Sequence, residues 1–108
     1  MEIKQLMMFQ TASKVLNFTK TAQILGYAQS SITANIAALE EELGTPLFER
    51  LGKRVILTEA GMKFQDYTDK ILGLTGEALE AVGGMSEPSG IMYLSTSSYF
   101  NGLSNNVS

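Results

Sequence analysis

The chain has 108 residues, of which 44% are hydrophobic, and a formal net charge of −3, so it can hold one small core with appended segments. It contains no cysteine and no histidine, which excludes disulfide bonds, Cys/His zinc sites and histidine catalysis, and we expect no metal, cofactor or catalytic site. No apolar run is as long as a membrane span, which needs about 18 residues. The first residues lack the basic and then apolar pattern of a signal peptide. We therefore expect a cytoplasmic protein without a membrane partner.

A first helix is predicted over residues 2–16. Apolar residues recur in this segment at spacings of three and four, as they do on the buried face of a helix. The members of this face are Ile3, Leu6 and Phe9, with Ala12 and Leu16 as further candidates. Asn17 then interrupts the helical pattern.

Two further helices are predicted close together. Residues 19–25 form a short helix that begins at Thr19 as its N-cap and ends at Gly26. Residues 29–43 form a longer helix that Gly44 ends. Its buried side chains are predicted to be Ile32, Ile36, and Leu39 or Leu43. Only three residues separate the two helices, and a short turn with a glycine is typical of a helix-turn-helix motif.

Residues 47–57 predict a small β-hairpin, because apolar anchors and a Val-Ile-Leu run flank a Gly-Lys turn. The hairpin carries three basic side chains, which are Arg50, Lys53 and Arg54. Residues 1–60 hold six basic and six acidic side chains, whereas residues 61–108 hold two and five. Since the distribution of charge matters more than its sum for nucleic-acid binding, the net charge does not exclude DNA as a partner.

A fourth helix is predicted from Thr58, its N-cap, to about Val82. Its apolar residues are spaced alternately by three and four, which is typical of a heptad seam. The seam consists of Phe64, Tyr67, Ile71, Leu74, Ala78 and Ala81, and Leu72 and Leu79 widen it. The seam can pack on the first helix or on a partner chain. We expect both, with one side for each.

Several short motifs occur in a fixed order along the chain. They are Phe18-Thr19-x-x-Ala22, Gln29-Ser30 with Ile32-Thr33, Leu39-Glu40-Glu41-Glu42-Leu43-Gly44, Pro46-Leu47-Phe48-Glu49-Arg50 and Leu57-Thr58-Glu59-Ala60-Gly61. In order and spacing, without gaps over residues 1–61, these motifs resemble the LysR-type transcriptional regulators. Ser89-Gly90-Ile91 with Leu94 resembles the first strand of that family's effector-binding domain.

The resemblance implies a mainly α fold, in which a winged helix-turn-helix of three helices and a small β-hairpin wing is followed by a long dimerising linker helix. The expected boundaries are residues 1–58 for the DNA-binding domain, 59–84 for the linker or dimerisation helix, and 85–108 for a linker and a truncated first strand. The family is bacterial, and the implied partners are double-stranded DNA and a second copy of the chain. An effector ligand is expected only in a full-length protein.

A helix that enters the major groove presents its N-terminal residues to base edges. The predicted base contacts are Gln29, Ser30, Thr33 and Asn35, and the predicted phosphate contacts are Thr19 and Lys20. On the hairpin, Arg50, Lys53 and Arg54 are predicted to reach either the DNA backbone or the minor groove. The sequence departs from the family at Ala28 and Ala34, which removes a side-chain cap from the third helix and one expected DNA contact.

Plainer interpretations stay open for several of these residues. The residues that begin the third helix can be only a polar helix start, and the basic residues of the hairpin can be only solvated charge. Glu40, Glu41 and Glu42 are expected to form a solvated helix face, and Phe18 is expected to belong to the core.

Two functions are consistent with these residues. The first is that of a transcriptional regulator fragment that binds a near-palindromic operator as a dimer. The second is that of a truncated regulator that forms heterodimers with a full-length relative. An enzyme is not expected, because carboxylates such as Asp66 and Asp69 lie on an amphipathic helix without a pocket partner.

Overall fold

Three helices, an antiparallel hairpin and a long fourth helix follow one another in a computed structural model that describes residues 1–52 and 54–83. The elements are α1 (Ile3–Val15), α2 (Phe18–Leu25), α3 (Gln29–Leu43), β1 (Phe48–Leu51), β2 (Arg54–Leu57), α4 (Glu59–Ala78) and a π-helical turn (Leu79–Gly83). The predicted mainly α winged helix-turn-helix is therefore confirmed. The prediction for residues 85–108 lies outside the described residues. No helix within the described ranges is both long and apolar enough to cross a membrane.

The core of the fold is built around Phe9 of α1, which is fully buried. Its ring centroid lies 5.5 Å from that of Phe48 and 5.0 Å from that of Phe64. Tilted aromatic pairs at such distances add to the stabilisation from apolar burial. The buried hydrophobic cluster consists of Met8, Phe9, Ala12, Phe18, Ala22, Ile32, Ile36, Leu39, Leu47, Phe48 and Val55.

Some residues near the helix ends that were predicted to be buried or helical differ in the structure. Ile3 is 45% exposed, so its predicted place in the buried face of α1 is wrong, because it lies in the first turn, before the residues that the core covers. Leu16 is not helical but caps α1 in the left-handed conformation, with φ 59°. In α3, Leu39 is fully buried and Leu43 is exposed.

The start of α2 corrects the sequence prediction. The N-cap is Asn17 and not Thr19, and α2 begins one residue earlier than predicted, at Phe18. The Oδ1 atom of Asn17 accepts the backbone N–H of Lys20 at 2.8 Å, which satisfies one of the free donors of the first turn. Because Asn17 performs the capping, the hydroxyl of Thr19 is left for another contact. The predicted end at Gly26 is confirmed, with φ 79°.

A carboxylate joins the last part of α3 to the start of the hairpin. The Oε2 atom of Glu40 accepts the backbone N–H groups of Leu47 at 2.7 Å and Phe48 at 3.2 Å. The expectation that Glu40 belongs to a solvated face is therefore wrong, although Glu41 and Glu42 are exposed. The two strands then pair in the register Phe48↔Leu57, Glu49↔Ile56, Arg50↔Val55 and Leu51↔Arg54.

The start of α4 is fixed by Thr58 and Gly61. The Oγ1 atom of Thr58 accepts the N–H of Gly61 at 3.0 Å and donates to the carbonyl of Pro46 at 2.7 Å, so the predicted N-cap is confirmed. Gly61 is buried, and a Cβ at this position would overlap the carbonyl oxygen of Leu47. A close approach of backbone, and not a positive φ, therefore requires glycine here.

The chain divides into two units, Met1–Leu72 and Gly73–Ser108. The first unit contains α1 to α3, the hairpin and the part of α4 up to Leu72. The described part of the second unit contains the end of α4 and the π-helical turn.

Candidate nucleic-acid interface

The first turn of α3 is open to solvent. Gln29 and Ser30, its first two residues, are exposed. The N-cap residue is Ala28, whose side chain has no acceptor atom. The helix therefore lacks a side-chain cap at this position, as predicted from the sequence. The first N–H groups of a helix have no intrahelical partner. This helix end can therefore offer both backbone and side-chain hydrogen-bond donors to an anion or to a base.

The start of α2 lies against the start of α3. The Oγ1 atom of Thr19 donates a hydrogen bond to Oε1 of Gln29 at 2.9 Å, and both side chains are exposed. Lys20, the next residue, is also exposed. The structure thus brings together a predicted base contact and a predicted phosphate contact from two helices.

The hairpin places a cation beside the same helix start. The guanidinium carbon of Arg50 lies 5.3 Å from the ring centroid of Phe18, the first residue of α2. An arginine over an aromatic ring is attracted by the negative face of the ring. Phe18 is buried, as predicted, and packs edge-on against Phe48 at 5.2 Å. Arg54 is exposed, and Lys53 lies outside the described residues.

The other two predicted base contacts are less accessible. Thr33 is half-buried. The amide of Asn35 is held by protein atoms, since its Nδ2 donates to the carbonyl of Ser31 at 2.8 Å and its Oδ1 accepts from Nε2 of Gln5 at 3.3 Å. The sequence gives no sign of this contact, because Gln5 and Asn35 are 30 positions apart.

The predicted seam of α4 has members in different environments. Within the first unit, Phe64 packs on Phe9, Ile71 is half-buried, and Tyr67 is 63% exposed with Nζ of Lys70 at 5.5 Å from its ring centroid. Within the second unit, all three predicted members, Leu74, Ala78 and Ala81, are exposed.

Polar contacts also hold α4 against α1 within the first unit. Nε2 of Gln65 donates to Oγ of Ser13 at 2.9 Å, and Nε2 of Gln10 donates to Oδ1 of Asp69 at 2.9 Å. The expected contact of the fourth helix with the first is therefore present, and it uses polar side chains in addition to Phe64.

An exposed α3 start, a neighbouring α2 start and a hairpin with basic side chains form the architecture of a winged helix-turn-helix DNA-binding domain. Residues 3–62 match the family model described as the bacterial regulatory helix-turn-helix protein of the lysR family. The match covers more than half of the chain, and the chain belongs to the LysR family.

Curated relatives agree with this assignment. YwqM of Bacillus subtilis, described as an uncharacterized HTH-type transcriptional regulator, is 58% identical over 92 residues, which are 85% of this chain and 31% of that protein. YusT of the same organism, with the same description, is 44% identical over 90 residues, which are 83% of this chain and 30% of that protein. The chain thus spans about 31% and 30% of the length of these two relatives.

Solved structures show the same fold in complexes with DNA. The BenM DNA-binding domain bound to catB site 1 DNA has a TM-score of 0.77 and 30% identity, over 86% of this chain and 100% of that chain. The CbnR DNA-binding domain bound to DNA has a TM-score of 0.72 and 34% identity, over 82% of this chain and 98% of that chain.

Proposed function

We propose that the chain binds a near-palindromic operator in double-stranded DNA as a homodimer, with α3 in the major groove of each half-site. One observation carries the proposal. Arg50 contacts Phe18, and Thr19, the residue after Phe18, contacts Gln29. These contacts bring a basic side chain of the wing and the starts of two helices to one surface.

The side chains of this surface can bind the two parts of DNA that a protein contacts, which are the base edges and the phosphates. Gln29 can pair with adenine through two hydrogen bonds, and Ser30 and Thr33 can bond to several base edges. Lys20, Arg50 and Arg54 can neutralise phosphates, and Lys53 is a further candidate for the same role. Asn35 remains a predicted contact, and its amide already bonds to Gln5 and Ser31.

The exposed apolar side chains of α4 and the turn after it support the homodimer. Tyr67 is 63% exposed in the first unit, and Leu74, Leu79 and Val82 are 63%, 70% and 71% exposed in the second. Apolar residues at heptad spacing, such as Tyr67 and Leu74, are typical of paired helices. We therefore propose that the seam binds a second copy of the chain.

The operator is tested by selecting bound duplexes from fragmented source DNA at about physiological salt and then sequencing them. We expect enrichment of an interrupted palindrome whose half-sites are about one helical turn apart or a multiple of it. Binding that shows no enrichment and vanishes at modest salt would be contact with phosphates alone, and it would contradict the proposal.

The dimer is tested by sedimentation of Ile71→Asp and Leu74→Asp variants, which place a charge in the apolar seam. Both are expected to sediment as monomers at concentrations where the parent chain is a dimer. Leu51→Asp is the matched control, since Leu51 is 55% exposed but lies on the hairpin. Dimers that survive both substitutions in α4 would place the interface elsewhere.

A role in a longer protein follows as part of the same proposal. The relatives that the chain matches are longer regulators, so we propose that an effector ligand acts through a domain beyond these 108 residues. The relatives and solved structures give no support for the alternative, a truncated partner that forms heterodimers, over the operator-binding dimer.

A further inference from the structure

We propose that Thr19 is a positioning residue for base reading, whose hydroxyl orients the amide of Gln29 before DNA is bound. The inference rests on the proposed function, since it assigns the residue that prepares the predicted base contact. It starts from one hydrogen bond, in which Oγ1 of Thr19 donates to Oε1 of Gln29 at 2.9 Å.

The number of protons on Thr19 limits what this residue can do. A hydroxyl has one proton to donate, and in this structure that proton is directed to Gln29. Thr19 cannot at the same time donate to a phosphate. The capping of α2 by Asn17 is what leaves the hydroxyl of Thr19 for this contact. Holding Gln29 and anchoring a phosphate are therefore competing roles, and the structure favours the first.

The orientation that results suits a base edge. The contact with Thr19 occupies one of the two acceptor positions of Oε1. The second acceptor position and both N–H groups of Nε2 stay available for a base. Pairing with adenine requires one acceptor and one donor side by side in a fixed plane. A long exposed side chain loses rotamer freedom when it binds, and a contact made in advance reduces that loss. Thr19 thereby strengthens discrimination at the base pair that Gln29 reads.

Affinity measurements on duplexes that differ at one base pair separate the two roles. The parent 108-residue chain is compared with Gln29→Ala, Thr19→Val and Thr19→Ser, using the selected operator, its single base-pair variants and an unrelated duplex. Thr19→Val keeps the shape and removes the hydroxyl, and Thr19→Ser restores the hydroxyl. Lys20→Ala is the control for a lost phosphate contact, because it should weaken all duplexes alike and flatten the salt dependence.

We expect Thr19→Val to reduce discrimination roughly two- to tenfold, the value of one hydrogen bond, at the same base pair that Gln29→Ala affects. Binding to the unrelated duplex should stay unchanged, and Thr19→Ser should recover discrimination. The double variant Thr19→Val, Gln29→Ala should behave as Gln29→Ala does, because residues in contact are not additive.

Two results would overturn the inference but leave the proposed function standing. One is that Thr19→Val lowers the affinity for every duplex equally, which is the behaviour of a phosphate anchor. The other is that Thr19→Val leaves discrimination between duplexes unchanged, while Gln29→Ala still affects one base pair. A parent chain without any sequence preference would remove the proposed function and this inference together, so the two failures are distinguishable.

Discussion

The starts of α3 and α4 are built in opposite ways. At α3 the N-cap is Ala28, which offers no acceptor, and Gln29 is exposed. At α4 the hydroxyl of Thr58 both accepts from the helix and donates to Pro46, and Gly61 lies buried against the preceding loop. One helix start is open to a partner, and the other is fixed inside the protein.

The difference shows what each end does for the fold. The start of α4 fastens the long helix to the winged domain, so its side chains serve stability. The start of α3 gives up a cap that is worth about 1 kcal/mol elsewhere. The N–H of Ser31 bonds to the carbonyl of Ala28, and no side chain at Ala28 caps the N–H groups of the first turn. We interpret this open end as the one that meets DNA.

The largest expected effect is at Gly61. Gly61→Ala should lower the free energy of unfolding by about 3 kcal/mol, because the new Cβ meets the backbone of Leu47, which cannot move aside as a flexible side chain can. Gly73→Ala is the matched control on the same helix, with nothing within 4 Å of its Cβ. It should raise the free energy of unfolding by about 0.5–1 kcal/mol.

Urea denaturation at matched protein concentration measures both changes, since the stability of a dimer depends on concentration. Equal effects of the two substitutions would mean that the loop before the hairpin yields easily, and the start of α4 would then be no more fixed than its middle.

The next effect is at Thr58. Thr58→Ala removes the cap of α4 and the bond to Pro46 together, and it should lower the free energy of unfolding by about 1–2 kcal/mol. Thr58→Ser retains the hydroxyl and should lose much less. If Thr58→Ser proved as unstable as Thr58→Ala, the methyl group and not the hydrogen bonds would hold this end.

The smallest effect on stability, and the sharpest on binding, is expected at Ala28. Ala28→Asp supplies the missing cap of α3 and should raise the free energy of unfolding by about 0.5–1 kcal/mol. The same carboxylate should weaken duplex binding, because we propose that α3 enters the major groove, where an added negative charge is repelled by the phosphates. Ala28→Ser caps without charge and separates the two effects. An Ala28→Asp variant that bound DNA as well as the parent chain would exclude a close phosphate at this end.

The helices were largely predictable because their signals are local. The bounds of α3 agree with the prediction, since Gly44 and the spacing of Ile32, Ile36 and Leu39 lie within the helix or next to it. The start of α2 was not predictable, because Asn17 and Thr19 are both good caps. Only the structure shows that Asn17 accepts the N–H of Lys20 while Thr19 contacts Gln29.

The missed features depend on contacts between distant residues. Three consecutive glutamates look alike in the sequence, and only the fold shows that Glu40 accepts two backbone N–H groups. The heptad pattern in α4 is regular, but it does not reveal that Phe64 faces the core while Tyr67 faces solvent. Periodicity identifies a face of a helix, and the neighbouring elements decide what covers it.

The carboxylate of Glu40 has a consequence for the geometry of an operator. A single oxygen holds the first two residues of the hairpin region to the last part of α3, so the hairpin cannot slide along α3 without breaking two hydrogen bonds at once. In the complex that we propose, these two hydrogen bonds limit how far the bases at α3 can lie from the phosphates at the wing. We therefore expect a half-site with one base pair inserted between these two contacts to lose one of them.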